Sequence, residues 1–286
     1  MILNKGKLFL CATPIGNLED ITYRVVRTLQ EVDLIAAEDT RHSIKLLNHF
    51  DIKTPMTSYH EYNKIDKAKV LVEKMLEGIN VALITDAGTP GISDPGEELV
   101  KQAADAGIEI TSLPGAVAAV TALTISALPT RRFAFEAFLP PDKKVRQRIL
   151  EELIDETRTI IMYEAPHRLK KTLGELREYL GNRNISICKE LTKIHESVLR
   201  TTIDDAIQYY ECNEPKGEFV LVIQGKSFDE IFEEKVAQWD NITIYEHYTK
   251  YIDEGMKSKD AMKAVAKDRN ISKRDVYTEV LEHKSK

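Results

Sequence analysis

The sequence predicts an α/β protein of two domains with a small helical extension at its C-terminal end. Three observations carry that prediction. Short apolar runs alternate with stretches whose apolar residues recur at the helical period, a proline-containing segment near residue 130 interrupts the alternation once, and beyond residue 226 only helical patterning remains. The 286 residues suffice for about two domains at roughly 150 residues each. The expected boundaries are 1–127 for an N-terminal α/β domain, 128–226 for a C-terminal α/β domain and 227–286 for the extension.

Residues 7–12 (KLFLCA) form the first expected strand and run directly into the turn Thr13-Pro14-Ile15-Gly16-Asn17. After Asp20, the spacing of Ile21, Val25, Val26 and Leu29 predicts a helix with one buried face. Residues 32–37 form a second strand that ends in the cluster Glu38-Asp39-Thr40-Arg41-His42, followed by a helix carrying Ile44, Leu46, Leu47 and Phe50. A short strand at 56–59 and a helix over 64–78 lead to the apolar run at 80–85. That run stops in Asp86-Ala87-Gly88-Thr89-Pro90-Gly91, a loop whose glycines let a ligand approach the backbone. Asp94 is expected to cap the next helix, with Pro95 at its first position and Glu97 completing an Asp-x-x-Glu capping box. A strand at 108–113 and the helix opened by Pro114-Gly115 complete the first domain. Strands alternating with helices imply a mostly parallel sheet, and ligands of such sheets sit outside the carboxyl ends of the strands. The loops at Thr13, Glu38, Asp86 and Pro114 should therefore line one edge.

The second domain reads as a basic helix from Lys143, strand 159–163, a helix from Pro166, strand 185–190, a hairpin-like segment 196–201, helix 203–210 and strand 219–224. In the extension, helices around 259–268 and 272–282 have the outline of a helix-turn-helix, and a structural cap is an equal reading.

Composition narrows the function. With 43% hydrophobic and 30% charged residues the chain is an ordinary globular one. It has no apolar run near the roughly 20 residues of a membrane span, and residues 1–6 are too short for a signal peptide, so a cytosolic protein without membrane contact is expected. Cys11, Cys188 and Cys212 are widely spaced, which predicts reduced buried thiols and no metal site. A net charge of −6 means that any nucleic-acid contact must come from a local patch. Arg131, Arg132, Lys143, Lys144, Arg146 and Arg148 supply one near the domain junction, where phosphate contacts or a plain solvated helix face are the two readings.

No phosphate-binding Gly-x-x-x-x-Gly-Lys-Ser/Thr, dinucleotide Gly-x-Gly-x-x-Gly or nucleophile elbow is present, which disfavours nucleotide hydrolysis, nicotinamide chemistry and serine hydrolysis. The first-domain loops offer backbone amides, small residues and a few carboxylates. They suit an uncharged-to-zwitterionic, partly aromatic molecule; an adenosyl ligand fits, and so would another small molecule. The second-domain strand ends carry charge instead, in Glu164-Ala165-Pro166-His167-Arg168, Lys189-Glu190-Leu191-Thr192-Lys193 and Lys216-Gly217-Glu218, as a catalytic cleft would.

Six motifs in order, Thr13-Pro14-Ile15-Gly16-Asn17-Leu18-x-Asp20, Ala36-Ala37-Glu38-Asp39-Thr40-Arg41, Thr85-Asp86-Ala87-Gly88-Thr89-Pro90, Tyr163-Glu164-x-x-His167-Arg168, Lys189-Glu190-Leu191-Thr192-Lys193 and Lys216-Gly217-Glu218, resemble those of a known family. It is that of the bacterial small-subunit rRNA (cytidine-2′-O-)-methyltransferases, a branch of the tetrapyrrole-methylase superfamily. The resemblance covers about residues 7–225 and implies a two-domain tetrapyrrole-methylase-like fold with S-adenosylmethionine in the interdomain cleft, usually in a homodimer. Carried over by motif, Pro14, Asp86, Ala87, Gly88, Thr89, Pro90, Ile92, Val117, Ala118, Tyr163, Glu218 and Phe219 would bind the cofactor. At the first loop, Ala12-Thr13-Pro14-Ile15-Gly16 replaces the glycine-rich pattern of the porphyrin-modifying members, which argues against a tetrapyrrole substrate.

The implied substrate is 16S rRNA, free or in the assembled small subunit, and the implied reaction is methyl transfer to a ribose hydroxyl. That hydroxyl needs alignment and a proton acceptor. Glu190 and Lys193 on one wall and Asp39 with Arg41 on the other are the expected catalytic groups, supported by Glu164 and Arg168. Two other readings stay open: a methylase of a small molecule such as a tetrapyrrole, and a non-catalytic ribosome-associated ligand-binding module.

Overall fold

In a computed structural model that describes residues 5–284, the apolar run Lys7–Cys11 forms β1, an interior strand of a five-stranded sheet. Residues 1–4, part of the stretch read as too short for a leader, and residues 285–286 of the expected helical extension lie outside the described residues. The sheet's other strands are β2 (Leu34–Ala37), β3 (Met56–Ser58), β4 (Val81–Ile84) and β5 (Glu109–Leu113), in the order β3-β2-β4-β1-β5 with every pairing parallel.

Side chains of a strand alternate between faces, and here each face has its own core. Leu8, Leu10, Val81 and Leu83 pack with Ala68, Leu71 and Met75 of α3 (Lys64–Leu76) and with Leu99 and Ala103 of α4 (Gly96–Asp105). Cys11, Ala82 and Ile84 pack on the other face with Val25 and Leu29 of α1 (Tyr23–Glu31) and with Leu47 of α2 (Thr40–His49). Covering both faces forces the parallel arrangement, and the parallel arrangement brings the loops after β1, β2, β4 and β5 to one edge.

Two expected helix starts differ in detail. Asp20 closes a short 3-10 turn, Leu18–Asp20, and Thr22 caps α1 by accepting from the Val25 amide. At α4, Pro95 rather than Asp94 is the cap residue and no capping box forms with Glu97. The Asp94 carboxylate accepts from the amides of Gly91 and Ile92 in the loop and from that of Gly96, the first residue of α4.

The second sheet is built from β6 (Phe133–Phe138), β7 (Thr159–Glu164), β8 (Asn184–Lys189), β9 (Ser197–Thr202) and β10 (Phe219–Ile223), ordered β6-β7-β10-β8-β9. Only β6 and β7 pair in parallel, whereas β10 runs antiparallel between β7 and β8, and β8 and β9 form an antiparallel pair. The reversal of β10 puts its beginning beside the ends of β7 and β8, in the register Phe219–Glu164 and Phe219–Lys189. Helices α6 (Lys143–Glu152), α7 (Pro166–Leu180) and α8 (Ile203–Cys212) belong to this sheet's segment of the chain, while α5 (Ala118–Ile125) joins Ile161, Val220 and Val222 in one core.

By backbone contacts the described chain forms two compact units. One runs to Glu151 and resumes over Thr159–Gln224, holding both sheets; the other takes Glu152–Arg158 and the described residues from Gly225. The second unit contains α9 (Phe228–Ala237), α10 (Ile244–Asp253), α11 (Ser258–Asp268) and α12 (Lys273–Lys284). Capping boxes start α9 at Ser227 and α10 at Thr243, and Tyr248, Ala261, Val265, Val276 and Val280 form its core. Among the described residues no helix is long and apolar enough to cross a membrane. Cys11 and Cys188 are buried free thiols, but Cys212, expected to be buried, is exposed at the last turn of α8.

Candidate functional site

The carboxyl edge of the first sheet faces the ends of β7 and β8 and the beginning of β10 across a cavity of about 450 Å³. Its floor is locked by two reciprocal hydrogen bonds: the Thr13 amide donates to the Gly88 carbonyl at 2.9 Å, and the Gly88 amide to the Thr13 carbonyl at 3.1 Å. Gly88 at φ 82° and Gly91 at φ 87° hold left-handed conformations that a side chain would strain. The Thr89 hydroxyl donates to the Ala116 carbonyl at 3.0 Å and ties this loop to the start of α5.

Ten of the twelve residues expected at the cofactor line this cavity: Asp86, Ala87, Gly88, Thr89 and Ile92 from the β4 loop, Val117 and Ala118 at α5, Tyr163 from β7, and Glu218 and Phe219 at β10. Pro14 and Pro90 do not. Pro14 lines a smaller neighbouring cavity with Thr13, His42 and Asp86, and Pro90 is buried. The Tyr163 hydroxyl accepts from the Ala119 amide at 3.2 Å, and its ring meets Phe135 and Phe138 at 5.0 and 5.5 Å. Burial raises the Tyr163 pKa.

Sequence reasoning missed Phe138 and Ser93 as lining residues, and it placed Glu38 in a loop at the ligand edge without giving it a role in the site. Phe138 was hidden in an irregular strand whose register to β7 shifts after Phe135. Ser93 turns into the left-handed region at φ 64°, which no residue preference announces. Glu38 was visible as part of the charged cluster after β2, but its surroundings were not.

The six expected catalytic residues form three separate pairs, and only Glu164 lines the main cavity. Asp39 caps α2 by accepting from the Arg41 amide, and the Arg41 guanidinium grips the same carboxylate at 2.8 and 3.1 Å, so its pKa falls to about 2. Lys193 bridges Glu190 and Glu218 at 2.9 Å each, in an adjacent groove with Gly16, Leu18 and His49. The Lys193 hydrogen bond lowers the Glu190 pKa; burial works against the Lys193 charge, yet its two carboxylate partners outweigh that and raise its pKa. Glu164 is only 1% exposed and accepts from the Thr172 hydroxyl and the Ala165 amide, with the Arg168 guanidinium at 3.3 Å. Arg168 also donates to the Leu139 carbonyl. This pair braces the start of α7.

The expected RNA-facing patch divides. Lys143, Lys144 and Arg148 are exposed on α6, which starts just beyond the end of β6. Arg131 and Arg132 are exposed before its beginning, about 20 Å away for six residues of strand. Arg146 is corrected outright. It is 5% exposed, paired with Glu175 at 3.1 Å and donating to the Pro140 and Pro141 carbonyls, because the helical period turns it inward.

Five carboxylates, Glu38, Asp86, Asp94, Glu164 and Glu218, line the main cavity, and among the described residues no Lys or Arg does. Beside them stand apolar Ile15, Ile92, Val117, Phe138 and Phe219. Such a lining favours a cationic ligand with an apolar body and offers nothing to a polyphosphate. Among the described residues no group of His, Cys, Asp and Glu is arranged to hold a metal ion.

Residues 7–207 match the family model described as Tetrapyrrole (Corrin/Porphyrin) Methylases, the class of protein that this fold and cleft define. The uroporphyrin-III-C-methyltransferase from Thermus thermophilus shares the fold, with a TM-score of 0.54 at 22% identity over 76% of this chain and 94% of that one. Within that class, proteins named ribosomal RNA small subunit methyltransferase I are far more similar. One from Halalkalibacterium halodurans is 51% identical over 96% of this chain and 94% of its own length; one from Thermotoga maritima is 44% identical over 77% of this chain and 99% of its own. The chain belongs to the ribosomal RNA small subunit methyltransferase I family of the tetrapyrrole methylases.

Proposed function

We propose that the protein transfers a methyl group from S-adenosylmethionine to the ribose 2′-hydroxyl of a cytidine in small-subunit (16S) rRNA, acting in the cytoplasm as a homodimer. The observation that carries the cofactor reading is the lining of the main cavity, five carboxylates and an apolar wall with no Lys or Arg among the described residues. When bound there, S-adenosylmethionine would supply a methyl group already activated on a positively charged sulfur. The names of the relatives support the RNA substrate.

In this reading Asp86, Ala87, Gly88, Thr89, Ile92, Val117, Ala118, Tyr163, Glu218 and Phe219 hold the cofactor. Gly88 and Gly91, lacking side chains, allow close backbone approach. Ile92, Val117, Phe138 and Phe219 exclude water, which strengthens every charge interaction inside. Pro14 supports the floor from the neighbouring cavity. The adjacent groove that Lys193 and Glu190 share with Gly16, Leu18 and His49 leads the RNA toward the methyl, and Lys193, holding its proton, meets phosphate rather than acting as a base.

The test incubates the protein and labelled S-adenosylmethionine with small ribosomal subunits that lack the modification, then maps the labelled nucleotide. Label on a cytidine 2′-oxygen is expected. Label on a base, or on added porphyrinogen but not RNA, refutes the reading. Sedimentation of the free protein checks the dimer.

A further inference from the structure

We infer that Glu38 accepts the proton of the ribose 2′-hydroxyl, a role that rests on the ribose-methylation reading above. In the balanced step, the hydroxyl oxygen forms a bond to the methyl carbon as the methyl–sulfur bond breaks with its electron pair staying on sulfur, and the hydroxyl proton passes to the Glu38 carboxylate.

The geometry selects Glu38 by elimination among the carboxylates that line the cavity. Glu164 is engaged by Thr172, Ala165 and Arg168. Asp94 accepts the amides of Gly91, Ile92 and Gly96 at 2.7–3.1 Å. Glu218 holds Lys193 at 2.9 Å, and Asp86 accepts from the Asp39 amide at 3.2 Å while standing exposed. Glu38 is half-buried, and its one hydrogen bond among the described residues is a long one, from the Asp86 amide at 3.4 Å. It therefore has lone pairs to spare for a substrate proton.

Its surroundings also raise its own basicity. Burial raises its pKa, the Asp86 amide opposes that weakly, and the charges of Asp86, Asp94 and Asp39 add to the rise. Asp86 and Asp94 face it from the β4 loop and Asp39 follows it in its own loop, where the Arg41 guanidinium is already gripped by Asp39. A general base works best with a pKa raised toward the operating pH. Asp39, held near pKa 2, and Glu190, lowered by Lys193, are poorer acceptors.

The experiment measures single-turnover transfer to unmodified small subunits across the acid and neutral range, with S-adenosylmethionine binding followed separately by calorimetry, for the wild type, Glu38→Gln, Glu38→Asp and Asp39→Asn. Wild-type transfer should rise along an acid limb whose midpoint lies above the ordinary carboxylate range. Glu38→Gln should bind cofactor nearly as well, lose roughly 10²–10⁴-fold in transfer and lose the acid limb. Glu38→Asp should keep the limb at a reduced rate. The proposal fails if Glu38→Gln keeps the wild-type limb, if Asp39→Asn rather than Glu38→Gln removes it, or if Glu38→Gln weakens cofactor binding as much as transfer, which would make Glu38 a cofactor ligand. Absence of any wild-type transfer to RNA, with cofactor binding intact, would instead overturn the functional reading and this role with it.

Discussion

Glu190 and Thr192 adopt left-handed backbone conformations, φ 51° and 67°, that non-glycine residues avoid. What holds them there is contact. A Cβ on Gly217 would come within 2.5 Å of the Glu190 side chain, and one on Gly16 within 2.4 Å of Lys193 Cγ, so both glycines are required for the arch to close. The arch is then pinned electrostatically, with Glu190 accepting from the Glu218 amide and Lys193 reaching both carboxylates. The pH window follows from the signs. Glu190 has its folded-state pKa lowered, so its contribution is present above its unfolded value and lost as pH falls through the folded one. Lys193 has its value raised, so its contribution is present below the unfolded value and lost as pH rises through the folded one. The stability difference between the wild type and Lys193→Met should therefore be level from about pH 5 to about pH 10 and shrink beyond both ends. Denaturant midpoints measured across that range check it; a gap that persists unchanged to about pH 3 would mean that packing, not charge, carries the arch.

At the scale of elements, α6 shows what one-dimensional patterns leave ambiguous. Four of its basic residues, Lys143, Lys144, Arg146 and Arg148, are alike in sequence, yet Arg146 is enclosed by Glu175 and two proline carbonyls. Removing it would leave Glu175 with only Lys171 at 3.8 Å and take the donor from two proline carbonyls, so Arg146→Ala should cost about 3 kcal/mol in urea unfolding. Lys143→Ala with Lys144→Ala should leave stability alone and reduce the salt dependence of RNA binding, whereas Arg131→Ala with Arg132→Ala, at the opposite end of β6, should not. An equal salt effect from both pairs would contradict this division. The strands and loops of the first sheet were legible because a parallel, doubly covered sheet writes itself as apolar runs ending in glycine and proline loops. Seven of the ten lining residues carried over by motif were legible for the same reason, since Asp86, Ala87, Gly88, Thr89, Ile92, Val117 and Ala118 sit in those loops; Tyr163, Glu218 and Phe219 come from β7 and the start of β10, where only the motifs pointed to them. The order β6-β7-β10-β8-β9 was not legible, since the antiparallel insertion of β10 is decided by pairing between residues distant in sequence. Nor was the basicity of Glu38, which is set first by burial and then by the charges of Asp86 and Asp94 across the sheet edge and of Asp39 beside it.

At the scale of the molecule, each compact unit has a core of its own, and the chain's one tryptophan lies in the helical unit. Trp239 stacks on His247 at 3.6 Å with Lys250 over its ring at 5.1 Å, so its emission reports on that unit alone. Val276→Ala, in the core of the helical unit, should lower the Trp239-detected transition by about 2 kcal/mol and leave S-adenosylmethionine binding unchanged. The same reporter carries a pH dependence. His247 is fully buried, its Nδ1 accepts from Arg269, and its Nε2 has no hydrogen-bond partner among the described residues, with Asp268 at 3.6 Å. Burial lowers its pKa, the charges of Arg269 and Lys250 add to that, and Asp268 opposes it. With the folded value below the unfolded one, the stabilisation is complete above about pH 7 and declines as pH falls past about 6.5 toward the folded value. The Trp239-detected midpoint should fall on acidification by more than the hydrogen-exchange protection of β4 and β10 does. His247→Gln should remove that excess, and an excess that survives the substitution would place the acid sensitivity elsewhere in the helical unit.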